Sequence, residues 1–175
     1  VSVPGAYAGL EAAKALNVNM NVMLFSDNVS LKDELRLKKI AKQKGLLLMG
    51  PGCGTAIING IALGFANVLN RGPVGVVGAS GTGTQEFTTL LDRIGVGVSQ
   101  VIGVGGRDLT DTIGGIMMKQ GINMLASDPS TELIVLISKP PSINVIPKIM
   151  EEALASGKPV VVNFLGFKPS QKFEN

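Results

Sequence analysis

Two patterns alternate along the chain. Short, predominantly apolar stretches are separated by longer segments in which apolar residues recur with helical spacing. The apolar stretches are VNMNVMLF (18–25), LLLMG (46–50), VGVVGA (74–79), VSQVIGVG (98–105), ELIVLIS (132–138) and PVVVNFLGF (159–167). Between them, AYAGLEAAKAL (6–16), SLKDELRLKKIAKQK (30–44), TGTQEFTTLLDRIG (82–95), LTDTIGGIMMKQGINMLASD (109–128) and INVIPKIMEEALAS (143–156) predict helices. Ser30 stands as N-cap of the second helix, with Asp33 three residues on and Gly45 as its stop. Phe87, Leu90, Leu91 and Ile94 fall at i, i+3, i+4 and i+7 and predict the packing stripe of the third. Strands that are apolar on both faces and joined by helices imply a parallel sheet covered on both sides.

The rhythm breaks once. GPGCGTAIINGIAL carries Asn59-Gly60 between two apolar runs, a strong hairpin signal, and NRGP (70–73) makes a further turn. The chain therefore reads as α/β with two doubly wound parallel-sheet units. Residues 1–52 form a partial Rossmann-like unit, 53–72 a hairpin linker, and 73–175 a flavodoxin-like unit. The first unit has only two strands and two helices, so it reads as the back half of a domain whose front is absent, with an open edge or a broken core.

Composition removes several kinds of chemistry. The 175 residues contain no His and one Cys, so the chain alone supplies no Ser-His-Asp triad, no Cys-His pair and no His- or thiol-rich metal site. A lone cysteine suits a reducing, cytoplasmic setting. No apolar run is long enough for a membrane span. The net charge is +3, with much of the basic charge in LKDELRLKKIAKQK (31–44). There Leu31, Leu35, Leu37 and Ile40 point inward and Lys32, Arg36, Lys39 and Lys42 outward. The segment has no aromatic residues for base stacking, so it reads as a solvated face rather than a nucleic-acid surface.

In open α/β sheets ligands sit beyond the carboxyl ends of the strands. GASGTGT follows the 74–79 strand. Gly78 and Gly83 have P-loop spacing, but Thr84 stands where the lysine would be. What remains suits an anion without nucleotide hydrolysis: a helix N-terminus, glycines, and the hydroxyls of Ser80, Thr82 and Thr84. The candidate phosphate-binding residues are Ser80, Gly81, Thr82, Gly83 and Thr84, joined by Gly105, Gly106 and Arg107 in GVGGRDLTDT and by Lys139 in SKPPS. Cys53 reads more readily as a small buried apolar residue than as a nucleophile.

These loops, in this order, resemble the α subunit of succinyl-CoA synthetase and its acyl-CoA synthetase relatives. GPGCGT resembles that family's Gly-Pro-Asn-Cys-Pro-Gly turn, GASGTGTQE its Ser-Arg-Ser-Gly-Thr-Leu-Thr-Tyr-Glu helix start, and GVGG its Gly-Ile-Gly-Gly loop. With FSDNVSLKDEL, GGRDL and SKPP, the set resembles the FdrA branch. The resemblance implies a first unit that binds coenzyme A, with Ser26, Asn28 and Cys53 as candidate cofactor contacts. It implies a second, ligase-type unit that holds phosphate or acyl phosphate at the helix start 80–84. It also implies a small-molecule acid substrate, and either a β-type partner subunit or a homo-oligomer.

Two departures stand out. The family's phosphohistidine loop follows the strand matching 159–167, where this chain has KPSQKFEN and no His. The family's glutamate at the end of the strand matching 132–138 is Lys139 here. Both suit a non-covalent anion pocket. Two alternatives to a ligase subunit stay open: a carbamoyltransferase subunit acting on oxamate and carbamoyl phosphate in allantoin breakdown, and a non-catalytic CoA- or phosphate-binding regulatory subunit.

Overall fold

The computed structural model describes residues 1–167; the tail KPSQKFEN, where the phosphohistidine departure was noted, lies outside the described residues. The elements run α1 (Gly5–Asn17), β1 (Val22–Met23), α2 (Leu31–Gln43), β2 (Leu48–Met49), β3 (Thr55–Ile58), β4 (Ile61–Gly64), β5 (Arg71–Ala79), α3 (Gly81–Arg93), β6 (Val98–Gly103), α4 (Ile116–Ser127), β7 (Leu133–Ser138), α5 (Ile146–Ala155) and β8 (Val160–Phe164). This is the α/β class that the alternating pattern predicts.

Six strands form one sheet in the order β4-β3-β6-β5-β7-β8. Its β6-β5-β7-β8 part is parallel. The order is that of a flavodoxin-like sheet, in which the chain steps to one side of its first strand and then crosses to the other. The crossover segments lie on opposite faces. Phe87 and Leu91 of α3 pack against Val76, Val135 and Ile137 on one side. Helices α4 and α5 pack against Val77, Ile134 and Leu136 on the other. The reversal of direction at β5 opens a crevice beyond its carboxyl end, between the loop after β5 and the loop after β7.

Asn59 and Gly60, both at positive φ (53° and 81°), turn β3 into β4. The hairpin also extends the sheet, because β3 runs antiparallel along β6 with Ile57 opposite Val101. The segment expected as a linker thus serves as a wall of the second unit.

Several details differ from the pattern reading. NRGP (70–73), expected as a turn, lies mostly within β5, which begins at Arg71. Helix α4 begins at Ile116, not at 109. Gly114 and Gly115 both have positive φ (69° and 68°), and the Asp108 carboxylate accepts hydrogen bonds from Met117 N (3.3 Å) and Met118 N (2.8 Å), which fixes the later start. In α3 the buried face is Thr84 and Thr88, whereas Leu90 and Ile94 are exposed. The helix is turned so that Thr84 and Thr88 are its buried residues, Phe87 and Leu91 of the expected stripe pack on the sheet, and Leu90 and Ile94 face outward. Finally, β1 is only two residues long, shorter than the 18–25 stretch suggested.

The first unit is a two-stranded parallel sheet, β1 beside β2, flanked by α1 and α2. Its core is not separate. Ala8, Ala12, Leu16, Leu24, Leu37 and Leu48 belong to one apolar cluster with Met117, Met118 and Ile122 of α4. The break expected in this half is filled by the second unit.

At the centre of that junction lies Lys38, fully buried. Its ammonium donates to Glu34 Oε1 one turn earlier (2.8 Å), to Val104 O (2.9 Å) and to Asp108 Oδ1 (2.8 Å). Glu34 and Asp108 are also fully buried. All three ammonium donors are used, which is the condition under which a buried charge is tolerated. Lys38→Met should lower unfolding free energy by about 3–5 kcal/mol, because it strands two buried carboxylates. Urea denaturation of the two proteins checks this, and a change under about 1 kcal/mol would contradict it.

Candidate anion site

The site is built where backbone segments meet at the carboxyl end of β5. The turn Gly52–Thr55, the β5–α3 junction Gly78–Gly81 and the loop Gly103–Gly106 enclose a cavity of about 20 Å³, with Thr84 as a further wall. Such a volume admits about one non-hydrogen atom. The glycines are what let these segments close in. A Cβ on Gly78 would sit against Thr84 Oγ1, and one on Gly103 would stand 2.6 Å from Cys53 Sγ.

Helix α3 opens directly onto this cavity. Ser80, buried and extended (φ −146°, ψ 106°), is its N-cap, yet its side chain makes no capping hydrogen bond. Thr84 N bonds back to Ser80 O at 2.9 Å. The N–H groups of Gly81, Thr82 and Gly83 precede the first intrahelical donor, Thr84 N, and carry the positive end of the helix dipole. Thr84 Oγ1 is buried and has no hydrogen-bond partner among the described residues. A hydroxyl left in that state costs free energy unless something else satisfies it.

Lys139 stands beyond β7, in the loop across the crevice, and is exposed. Its Nζ is 3.6 Å from the point where a Cβ on Gly106 would project, and Ala79 O is 3.8 Å from that point. The Lys139 loop is tied down. Ser142 N donates to Leu109 O at 2.9 Å, and Ser142 Oγ and Asn144 Nδ2 both donate to Asp111 Oδ1. Those hydrogen bonds hold the Asp111 carboxyl below its ordinary range.

Of the expected residues, Ser80, Gly81, Thr84, Gly105 and Gly106 line the small cavity and Lys139 lies beside Gly106, whereas Thr82 and Gly83, in the first turn of α3, are not among its lining residues. Arg107 turns away from it. Its Nη2 donates to Val29 O at 2.8 Å and lies 2.7 Å from Glu34 Oε2, an ion-pair approach whose N–H alignment is too poor for a hydrogen bond.

The three candidate cofactor contacts are dispersed. The Ser26 hydroxyl is spent on Val3, donating to its carbonyl (2.6 Å) and accepting from its amide (2.9 Å). Asn28, at φ 55°, is exposed and donates to Asp27. Cys53 is buried beside the small cavity. Ser26 also lines an open pocket of about 640 Å³ with Asp27, Phe25 and Phe65, whose rings meet edge to face at 5.3 Å. Gly52 and Gly54 are shared walls of this pocket and the small cavity.

Two features of this region were missed in the sequence. The sequence reading assigns no role to Glu34 and Lys38, although Glu34, Leu37, Lys38 and Ala41 do repeat at helical spacing. The role of Thr84 as an unsatisfied hydroxyl has no sequence signature.

Burial pushes the Cys53 thiol above its ordinary pKa, with the Thr55 backbone and the Lys38 charge offsetting only part of the effect. A raised value means less thiolate at any given pH. Cys53 should thus remain unalkylated by iodoacetamide at pH 8 in the native protein and react once urea unfolds it. Rapid native labelling would show an accessible, activated thiol instead.

A family profile described as CoA binding domain matches residues 70–166, that is, the second unit rather than the first, where the coenzyme A site was expected. The chain is 59% identical over 165 residues to the uncharacterized protein YahF of Escherichia coli, covering 94% of this chain and 32% of that protein. It is 35% identical over 144 residues to the mitochondrial ADP-forming succinate–CoA ligase subunit alpha-2 of Trichomonas vaginalis, covering 79% and 45% respectively. The chain thus spans less than half the length of these relatives. Among solved structures, ATP citrate lyase from Methanothrix soehngenii, in complex with citrate and coenzyme A, superposes with a TM-score of 0.78 at 17% identity, over 94% of this chain and 28% of that one. That likeness is one of fold. The profile takes in more than half of the residues, and on that ground the chain belongs to the CoA-binding domain family.

Proposed function

We propose that this chain is part of an acyl-CoA-synthetase-like subunit of the FdrA type, and that it holds phosphate or an acyl phosphate without covalent attachment at the start of α3. One observation carries the reading. A buried, partnerless hydroxyl on Thr84 lines the cavity at a helix N-terminus whose free amides face a crevice with a lysine on its far side. Free amides, a hydroxyl donor and an ammonium form a donor set for an oxyanion, one oxygen of which would enter the small cavity while the rest of the group stands outside it. No carboxylate lines the small cavity to oppose one.

Coenzyme A, in this reading, would use the open pocket beside β1. The edge-to-face pair Phe25–Phe65 and the backbone at Gly52 and Gly54 suit its apolar thiol-bearing arm. The lining contains no Lys or Arg, so these residues do not fit its diphosphate. The small-molecule acid and a β-type partner subunit or second copy belong to the same proposal.

A specific pair of facts favours a second reaction in the same pocket. The chain has no His to carry phosphate, and an ammonium, Lys139, stands at the crevice. Carbamoyl transfer between phosphate and the nitrogen of a small acid such as oxamate needs a bound phosphate and no phosphohistidine. A non-catalytic phosphate- or CoA-binding subunit is the remaining reading. Titration of phosphate, acetyl phosphate and carbamoyl phosphate into the chain compares the ligands directly.

Two sets of variants test the site. Lys139→Ala should weaken phosphate binding roughly tenfold, the effect of about 1.4 kcal/mol, and Lys139→Glu should weaken it further through repulsion. Thermal stability should hardly change, because Lys139 is exposed. Thr84→Val is the sharper case. It removes a hydroxyl with no partner, so the ligand-free protein should be equally or slightly more stable, yet phosphate affinity should fall roughly tenfold. Calorimetric titration gives the affinities; equal values in wild type and all three variants would overturn the site.

Incubation with labelled acetyl phosphate should leave no acid-labile label on this chain. Retained label would show a covalent carrier and refute the non-covalent reading.

A further inference from the structure

The loop after β6 faces two ways. Gly105 and Gly106 line the small cavity, and the next two residues grip the first unit. Arg107 Nη2 donates to Val29 O and contacts Glu34 of α2, while Asp108 accepts from Lys38 of α2. Nothing separates the gripping residues from the lining ones along the chain. The loop is also seated from beneath. A Cβ on Gly105, at φ 84°, would stand 2.6 Å from Pro51 O, and Lys38 donates to Val104 O. Thus the height of the Gly106 backbone, and of the Lys139 ammonium above it, is set by what Arg107 and Asp108 hold.

The other end of the Arg107 contact matters equally. Val29 O belongs to the segment Phe25–Ser30, whose Phe25, Ser26 and Asp27 line the open pocket of the first unit. Arg107 is the side chain that ties this segment to the anion loop.

We propose that Arg107 is a positioning residue for the anion site. It acts through the Gly105–Gly106 backbone rather than by touching the ligand, and it links the site to the pocket-lining loop of the first unit. The proposal rests on the anion-site reading above. It replaces a direct ionic contact from Arg107 with a mechanical one, which is why its guanidinium is spent on Val29 and Glu34.

The test combines two variants with two readouts. Arg107→Met keeps the aliphatic stem and removes the fork; Glu34→Gln keeps the shape and removes the charge that Arg107 meets. Phosphate affinity is measured by calorimetry, and the backbone amides of Gly105 and Gly106 are followed by NMR in the phosphate-free protein. Both variants should weaken phosphate binding by roughly three- to thirtyfold, the range of a coupling passed through an intervening residue. Both should shift the two glycine amides before any phosphate is added, and Arg107→Lys should fall between wild type and Arg107→Met.

If Arg107 contacted the anion directly, Glu34→Gln would release it, and affinity would hold or rise while Arg107→Met lost it; that pattern overturns the proposal. Unchanged affinity and unchanged amides, with only a lower melting temperature, would make Arg107 a purely structural contact and also overturn it. Should wild type itself fail to bind phosphate, the anion-site reading falls, and unshifted amides would then refute the positioning role independently.

Discussion

A fully buried ammonium is the constraint from which the arrangement of this molecule follows. Taking Lys38 out of water costs several kcal/mol, and the cost is offset only because each of its three donors meets an acceptor. Those acceptors come from two places: Glu34 from the same helix, and Val104 and Asp108 from the loop beyond β6. The charge cannot be satisfied by either unit alone, so burial of Lys38 fixes how α2 sits on the second unit. Asp108 carries the constraint further, since its two carboxylate oxygens also accept the first amides of α4. One side chain thus sets the docking of one helix and the starting point of another.

The crevice beyond β5 depends on that fixed loop and on the absence of side chains. Segments from the first unit, the β5–α3 junction and the β6 loop approach to distances that a Cβ would forbid at Gly78, Gly103 and Gly105. What such crowding exposes is main chain, and main-chain amides at a helix start are anion donors. The cavity offers held N–H groups and the buried hydroxyls of Thr55, Ser80 and Thr84, with the exposed Lys139 ammonium near Gly106.

The shared turn Gly52–Gly54 gives the molecule its functional geometry on a larger scale. It walls an open, partly aromatic pocket on one side and the small glycine-lined cavity on the other.

How far the chain could be read before folding depended on whether a property was local. The alternation of apolar runs and periodic segments determined the α/β class. Asn59-Gly60 determined the hairpin through the positive φ it permits, and the glycine, serine and threonine run at 78–84 marked the helix start by composition. Ser80 and Gly106 line one cavity, with Lys139 beside Gly106, because strands of a parallel sheet all deliver their carboxyl ends to one edge. What only the tertiary structure decided were properties set by distant neighbours. Lys38 looked like one more solvated lysine because its two partners from the β6 loop lie 66 and 70 residues away. Arg107 looked free to bind an anion because Val29 and Glu34 are far off in sequence. Of the stripe expected on α3, Phe87 and Leu91 pack on the sheet while Leu90 and Ile94 face outward, because the rotation of the helix is set by the sheet it packs on, with Thr84 and Thr88 buried.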